Sequence, residues 1–176
     1  MGGPRLIMAL SLILSITYDT PPDISARKFS DFSKAGMQAA ADLWEDRYLP
    51  LHFEPFAFAK YGYKERLPAT RSRKRKLAKR GKVKKGGAAA LVHSGDLEGR
   101  MRRAGVLRVY PTRFVLIKPG GPYVTNRPRG NRPNMVREIT TVVASEDRKM
   151  SEAYEAEVDR KMAAFRERRT VKTGST

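Results

Sequence analysis

Val106-Leu107-Arg108-Val109-Tyr110-Pro111-Thr112-Arg113-Phe114-Val115-Leu116-Ile117-Lys118 is the stretch that decides the fold class. Two runs rich in β-branched and aromatic residues flank Pro111-Thr112, and Pro119-Gly120-Gly121-Pro122 closes the second run, so the segment predicts a β-hairpin. Downstream the period changes. Met150, Tyr154, Val158, Met162 and Phe165 recur at four- and three-residue steps, with Glu146 and Asp147 at the start and Arg166, Arg168 and Arg169 at the end. That charge order complements a helix dipole, and the stripe predicts a long helix capped by Ser145. Between the two, Val136 to Ala144 is β-branched and reads as a further strand.

Upstream, Phe32, Gly36, Ala39, Ala40 and Leu43 mark one face of a helix that begins near Phe29 and ends before Pro50. Trp44 and Tyr48 anchor its end, and its small residues suit close packing on a sheet. Ser94 or Asp96 predicts the cap of a short helix from Leu97 to Ala104, stopped by Gly105. Near the start, Leu10, Leu12, Leu14, Ile16 and Tyr18 alternate as in a half-buried strand, which Thr20-Pro21-Pro22 ends. Arg5 and the apolar run Leu6 to Leu14 imitate a signal peptide, but the run is too short to cross a bilayer and no small-residue cleavage site follows.

These elements define an α+β class: a small mixed or antiparallel β-sheet flanked by a long helix in the N-terminal half and a C-terminal helix, with extended basic loops. One domain spans residues 1–169, with a basic arm at 64–90, an exposed loop at 119–134 and a frayed tail at 170–176. At 176 residues and 40% hydrophobic content the chain can bury one ordinary core.

The formal net charge is +18 and the pI near 10.5, a field that attracts nucleic acid, acidic surfaces or acidic protein partners. Ten of the cations lie between Arg71 and Lys85 with no acid among them: Arg71, Arg73, Lys74, Arg75, Lys76, Lys79, Arg80, Lys82, Lys84 and Lys85. Like charges at that density predict an extended arm, ordered only by an anionic partner. Arg127, Arg129 and Arg132 sit in a second loop, rich in Pro, Gly and Asn.

There is no cysteine and there are two histidines, His52 and His93, which leaves no thiolate chemistry and no metal-ligand spacing, so no cofactor or metal is expected. His52, Ser94 and Asp96 are the residue types of a hydrolase triad, but Ser94 and Asp96 stand in a helix-cap context without a nucleophile elbow. Gly86-Gly87 lacks the Gly-Lys-Ser/Thr of a phosphate loop. An enzyme is not expected, and His52 reads as a packed or hydrogen-bonded turn residue.

One order of residues carries more information than its parts. A helix ending in Trp44 and Leu49-Pro50 is followed by His52-Phe53, by Tyr61-Gly62-Tyr63-Lys64 with Arg66, by the basic insert, and by Leu91-Val92-His93-Ser94-Gly95-Asp96-Leu97. With Arg137-Glu138-Ile139-Thr140 leading into a terminal helix, this order resembles the neck or tail-completion proteins of tailed bacteriophages. The resemblance spans residues 10–166. It implies a structural virion protein, made in the host cytoplasm, that joins head to tail in a ring of about six or twelve copies between portal or adaptor and tail rings. His52, Phe53, Tyr61, Tyr63 and Arg66 are then the expected interface, Tyr and Arg being the side chains that most often anchor one. The arm would meet genomic DNA or an acidic protein surface, and no membrane is expected as a partner. A different reading of the same arm is a sequence-nonspecific nucleic-acid-binding protein, ribosome-associated or DNA-packaging.

Overall fold

The computed structural model describes residues 7–12, 23–81, 96–103, 105–119 and 134–173. Within them the chain is α+β, and its sheet is antiparallel with strand order β1-β3-β2. β1 is Ile7–Leu12, β2 Val106–Tyr110 and β3 Arg113–Pro119. The predicted hairpin is present, with Tyr110 opposite Arg113 beside the turn and Val106 opposite Ile117 at the open end. β1 lies on the other side of β3, with Ile7 opposite Pro119 and Leu12 opposite Phe114. The strand expected over Leu10 to Tyr18 is thus found earlier, and residues 13–18 lie outside the described residues.

Helix α1 spans Ala26–Leu43, opened by Ser25, whose hydroxyl accepts from the Lys28 amide at 3.4 Å. Its axis continues as a wider π-helical turn, Trp44–Tyr48, and a tighter 3₁₀ turn, Leu49–Phe53, the latter beginning at the Pro50 corner. The last helix, α6, spans Ala144–Thr173 and packs on α1. It starts before the predicted Ser145 cap and passes the expected fraying point at Thr170. As predicted, Met150, Tyr154, Val158 and Met162 are buried. On α1 the buried stripe is Ser33, Gly36, Met37, Ala40 and Ala41, which keeps the expected Gly36 and Ala40, while Phe32, Ala39 and Leu43 are half-buried beside it. Gly36 explains how closely the helices meet, since a Cβ there would lie 2.7 Å from a ring carbon of Tyr154 and 2.8 Å from a methyl of Val158. Phe32 and Phe165 close the pair edge-to-face with centroids 5.9 Å apart.

Two polar clamps tie the sheet to these helices. The Ser33 hydroxyl donates to the Pro111 carbonyl at the hairpin tip (2.7 Å) and shares a hydrogen bond with the Tyr154 hydroxyl (2.6 Å). Lys118, fully buried on the inward face of β3 with Phe114 and Leu116, donates to Glu45 of the π turn and, at 2.9 Å, to the Arg103 carbonyl. Arg103 follows α4, Asp96–Met101, which is shorter than the helix expected to Ala104. Gly105 then lets β2 start tight on β3: a Cβ there would meet the Ile117 carbonyl oxygen at 2.5 Å.

Two sequence expectations fail. Val136 to Ala144 is not a strand. Asn134 accepts from the Arg137 amide at 3.0 Å and caps a single helical turn, α5, Met135–Ile139, so local capping outweighs β-branched propensity. The basic arm is not extended through its first half: Pro68–Lys79 forms helix α3. Pro68 at the first helical position is preset for a helix, Ala, Arg, Lys and Leu are good helix formers, and Gly81 closes the end with φ +68°. Lys82, Lys84, Lys85, Arg127, Arg129 and Arg132 lie outside the described residues, as do Ser94 and the rest of both loops.

Candidate interaction surfaces

The segment expected to form an interface instead turns inward. Helix α2, Ala57–Tyr61, is ended by Gly62 at φ 61°, a left-handed residue that sends Tyr61 and Tyr63 back beneath the chain. His52, Phe53, Tyr61 and Tyr63 are all buried, His52 and Phe53 completely. The His52 ring stacks on Tyr61 with centroids 3.9 Å apart and planes within 10°. Its Nδ1 is hydrogen-bonded to the Tyr63 hydroxyl. These four residues therefore offer no surface to a neighbour, which corrects the expectation that they are interface anchors. His52 is the hydrogen-bonded turn residue that its place before the aromatic cluster suggests.

Two carboxylates from the C-terminal half complete this inner layer. Glu146 accepts from the Tyr61 hydroxyl at 2.8 Å and pairs with Lys60 at 2.7 Å. Glu138, on α5, takes both guanidinium branches of Arg66, at 2.8 and 2.6 Å, and the Lys64 amide at 3.2 Å. No local signal points to these partners: Glu146 reads as a first-turn dipole residue, and the strand reading of residues 136–144 hides the role of Glu138.

Burial lowers the His52 pKa to about 4, outweighing the Glu138 backbone carbonyl, which raises it, and acting with Lys60, which lowers it further. The His52 Nε2 has no hydrogen-bond partner among the described residues. Burial likewise raises both tyrosine hydroxyls well above their ordinary range, helped at Tyr61 by the hydrogen bond to the Glu146 carboxylate and at Tyr63 by the Glu138 charge. The imidazole is thus neutral and, with both phenols, packed inside the domain. A cavity of about 220 Å³, lined by Glu45, Asp46, Leu49, Pro50, Phe53, Met101 and Arg102, is smaller than ordinary ligand pockets. Among the described residues no cluster of metal-ligating side chains occurs, and no helix is long and apolar enough to cross a membrane.

Besides isolated exposed side chains such as Phe56 and Leu67, two accessible surfaces are continuous. The first is the outer face of the hairpin. Val106, Arg108 and Tyr110 point away from the core on β2, with Val106 56% and Tyr110 39% exposed, and the Arg113 guanidinium lies over the Tyr110 ring. An antiparallel sheet with one buried face ordinarily puts polar residues on the other. Here the outward pairs are Val106 with Ile117, Arg108 with Val115, and Tyr110 with Arg113.

The second is α3, which buries no residue. It leaves the domain just after Arg66, whose pair with Glu138 fixes the root, and Glu65 adds an exposed pair to Arg71. Lys74, Leu77 and Ala78 are half-buried, and burial with the nearby Arg66 charge lowers the Lys74 pKa. Arg71, Arg73, Arg75, Lys76, Lys79 and Arg80 face solvent.

Comparison with known proteins adds no relative: no family model, curated protein or solved structure matches this chain.

Proposed function

We propose that this chain is a structural subunit that assembles with copies of itself into a ring, as the neck subunit of a tailed bacteriophage would between head and tail. The carrying observation is the outer hairpin face, where Val106 and Tyr110 stand exposed on β2 while the outward pairs on β3 are largely apolar. Such a strand is a template for pairing with another chain. Among the described residues the sheet has β1 at one edge and β2 at the other, so a neighbour engaging β2 would use a different surface from the one it leaves open. Contacts of that kind close into rings by rotation. The motif order from Trp44 to Leu97 supplies the neck assignment.

The test is the mass of the purified chain by light scattering across salt concentrations, with and without a portal complex. Copies that each carry +18 repel, so salt promotes association through an apolar face. A closed oligomer that Val106→Lys dissociates, or a monomer that assembles only on the portal complex, supports the reading. A chain that stays monomeric at every salt and ignores the portal overturns it.

A further inference from the structure

We infer that α3 is a binding site for the phosphate backbone of double-stranded DNA, independent of base sequence. This goes beyond the ring reading and does not rest on it. At about 100° per residue, Arg75, Lys79, Lys76, Arg80 and Arg73 spread across about 160° of the helix circumference, while Lys74, Leu77 and Ala78 take the opposite side. That division matches the exposure found: the five cations are exposed and the other three half-buried. Among the described residues no carboxylate pairs with any of the five. Arg71 is held by Glu65, and Lys74 lies on the half-buried side of the helix.

This arrangement selects among anions. A flat acidic protein patch meets one side of a helix, whereas the major groove, about 12 Å wide, admits a helix and sets phosphates of both strands along its flanks. Cations over about 160° of the circumference and about 10 Å of axis suit two phosphate rails. Three of the five are arginines, whose planar fork matches phosphate. The helix contains no Asn or Gln to read adenine and no Asp or Glu to read cytosine, and cations set along both flanks are placed for phosphate rather than for the guanine edges that Arg and Lys can also read, so the proposed grip is on the backbone. Lys82, Lys84 and Lys85 continue the run in sequence.

The experiment measures binding of the full chain to a short random-sequence duplex by fluorescence anisotropy across salt concentrations. It compares the native chain with a variant carrying Arg73→Gln, Arg75→Gln, Lys76→Gln, Lys79→Gln and Arg80→Gln. Five lost phosphate contacts should reduce the slope of log affinity against log salt by about 4.5. Because all five substituted residues are exposed, the variant should keep its helical circular dichroism and melting temperature. A second variant, Arg73→Lys, Arg75→Lys and Arg80→Lys, keeps every charge and should keep the slope. An unchanged slope in the Gln variant assigns binding to the rest of the +18 surface and overturns the proposal. So does polyglutamate that displaces the duplex more effectively, charge for charge, than unlabelled duplex does, which would make the partner an acidic protein. Light scattering without DNA reports on the ring alone, so either reading can fail while the other stands.

Discussion

Arg66 and Glu138, 72 residues apart in sequence, meet through two parallel hydrogen bonds of 2.8 and 2.6 Å in a nearly dry setting. One partner roots the basic helix; the other stands on the single turn α5. The pair thus fixes where the most charged element leaves the domain. Arg66→Ala would strand a buried carboxylate and should cost about 3 kcal/mol, read as a lower urea midpoint. Arg66→Met combined with Glu138→Leu should recover most of that loss. A double variant no better than the single would show that the salt bridge itself, rather than the stranded charge, dominates.

Gly36 should not tolerate a methyl group. With Tyr154 and Val158 of the facing helix already at 2.7 and 2.8 Å from the position of a Cβ, Gly36→Ala must push α1 from α6. The gain in helix propensity is about 1 kcal/mol, and overpacking costs about 1 to 3 kcal/mol. A lower melting temperature is therefore expected, and an unchanged or higher one would contradict the close approach.

Acid should weaken the fold through His52. The ring is neutral in the folded chain down to about pH 4, whereas the unfolded chain protonates it near 6.5. Between those values the unfolded state binds more protons, so stability falls as pH drops. From pH 7 to pH 5 the loss is about 2 kcal/mol. It is measured as the difference in urea unfolding free energy and should be absent in His52→Gln, once the baseline cost of that change is subtracted. A native chain with the same slope as the variant would refute the assignment.

Tyr63 now has an internal role. Tyr63→Ala removes a buried ring stacked near Tyr61 and the hydrogen-bond partner of His52, and should destabilise by about 3 to 5 kcal/mol. Tyr63→Phe keeps the ring and should lose only about 1 to 3 kcal/mol, leaving His52 Nδ1 unsatisfied. Thermal melts of both variants check the order, and any effect on assembly should follow stability, since the residue is not at the surface.

Much of the architecture was legible because it rests on periodicity. The α6 stripe from Met150 to Phe165 and the hairpin around Pro111-Thr112 repeat one local signal over many residues. The failures arise where a single residue overrides its surroundings. Asn134 caps α5 against a β-branched sequence, and Gly62 rotates Tyr61 and Tyr63 from an apparent surface cluster into the core. In α3, charge density suggested an extended chain, while Pro68 and the good intrinsic helix formers around it set the backbone. The buried roles of Ser33, Lys118, Glu138 and Glu146 were not legible because burial of a polar side chain depends on a partner far along the chain. Ser33 finds its own in Pro111, 78 residues away.

That last contact has a mechanical consequence. The tip of the hairpin is held by Ser33, which is in turn held by Tyr154, so the turn is latched to both long helices at once. A pull on β2 would be shared by shear along α1 and α6 before the strands could peel apart one hydrogen bond at a time. The hairpin is thus a strut with a clamped end, and tension at the sheet edge is passed to the packed pair of long helices.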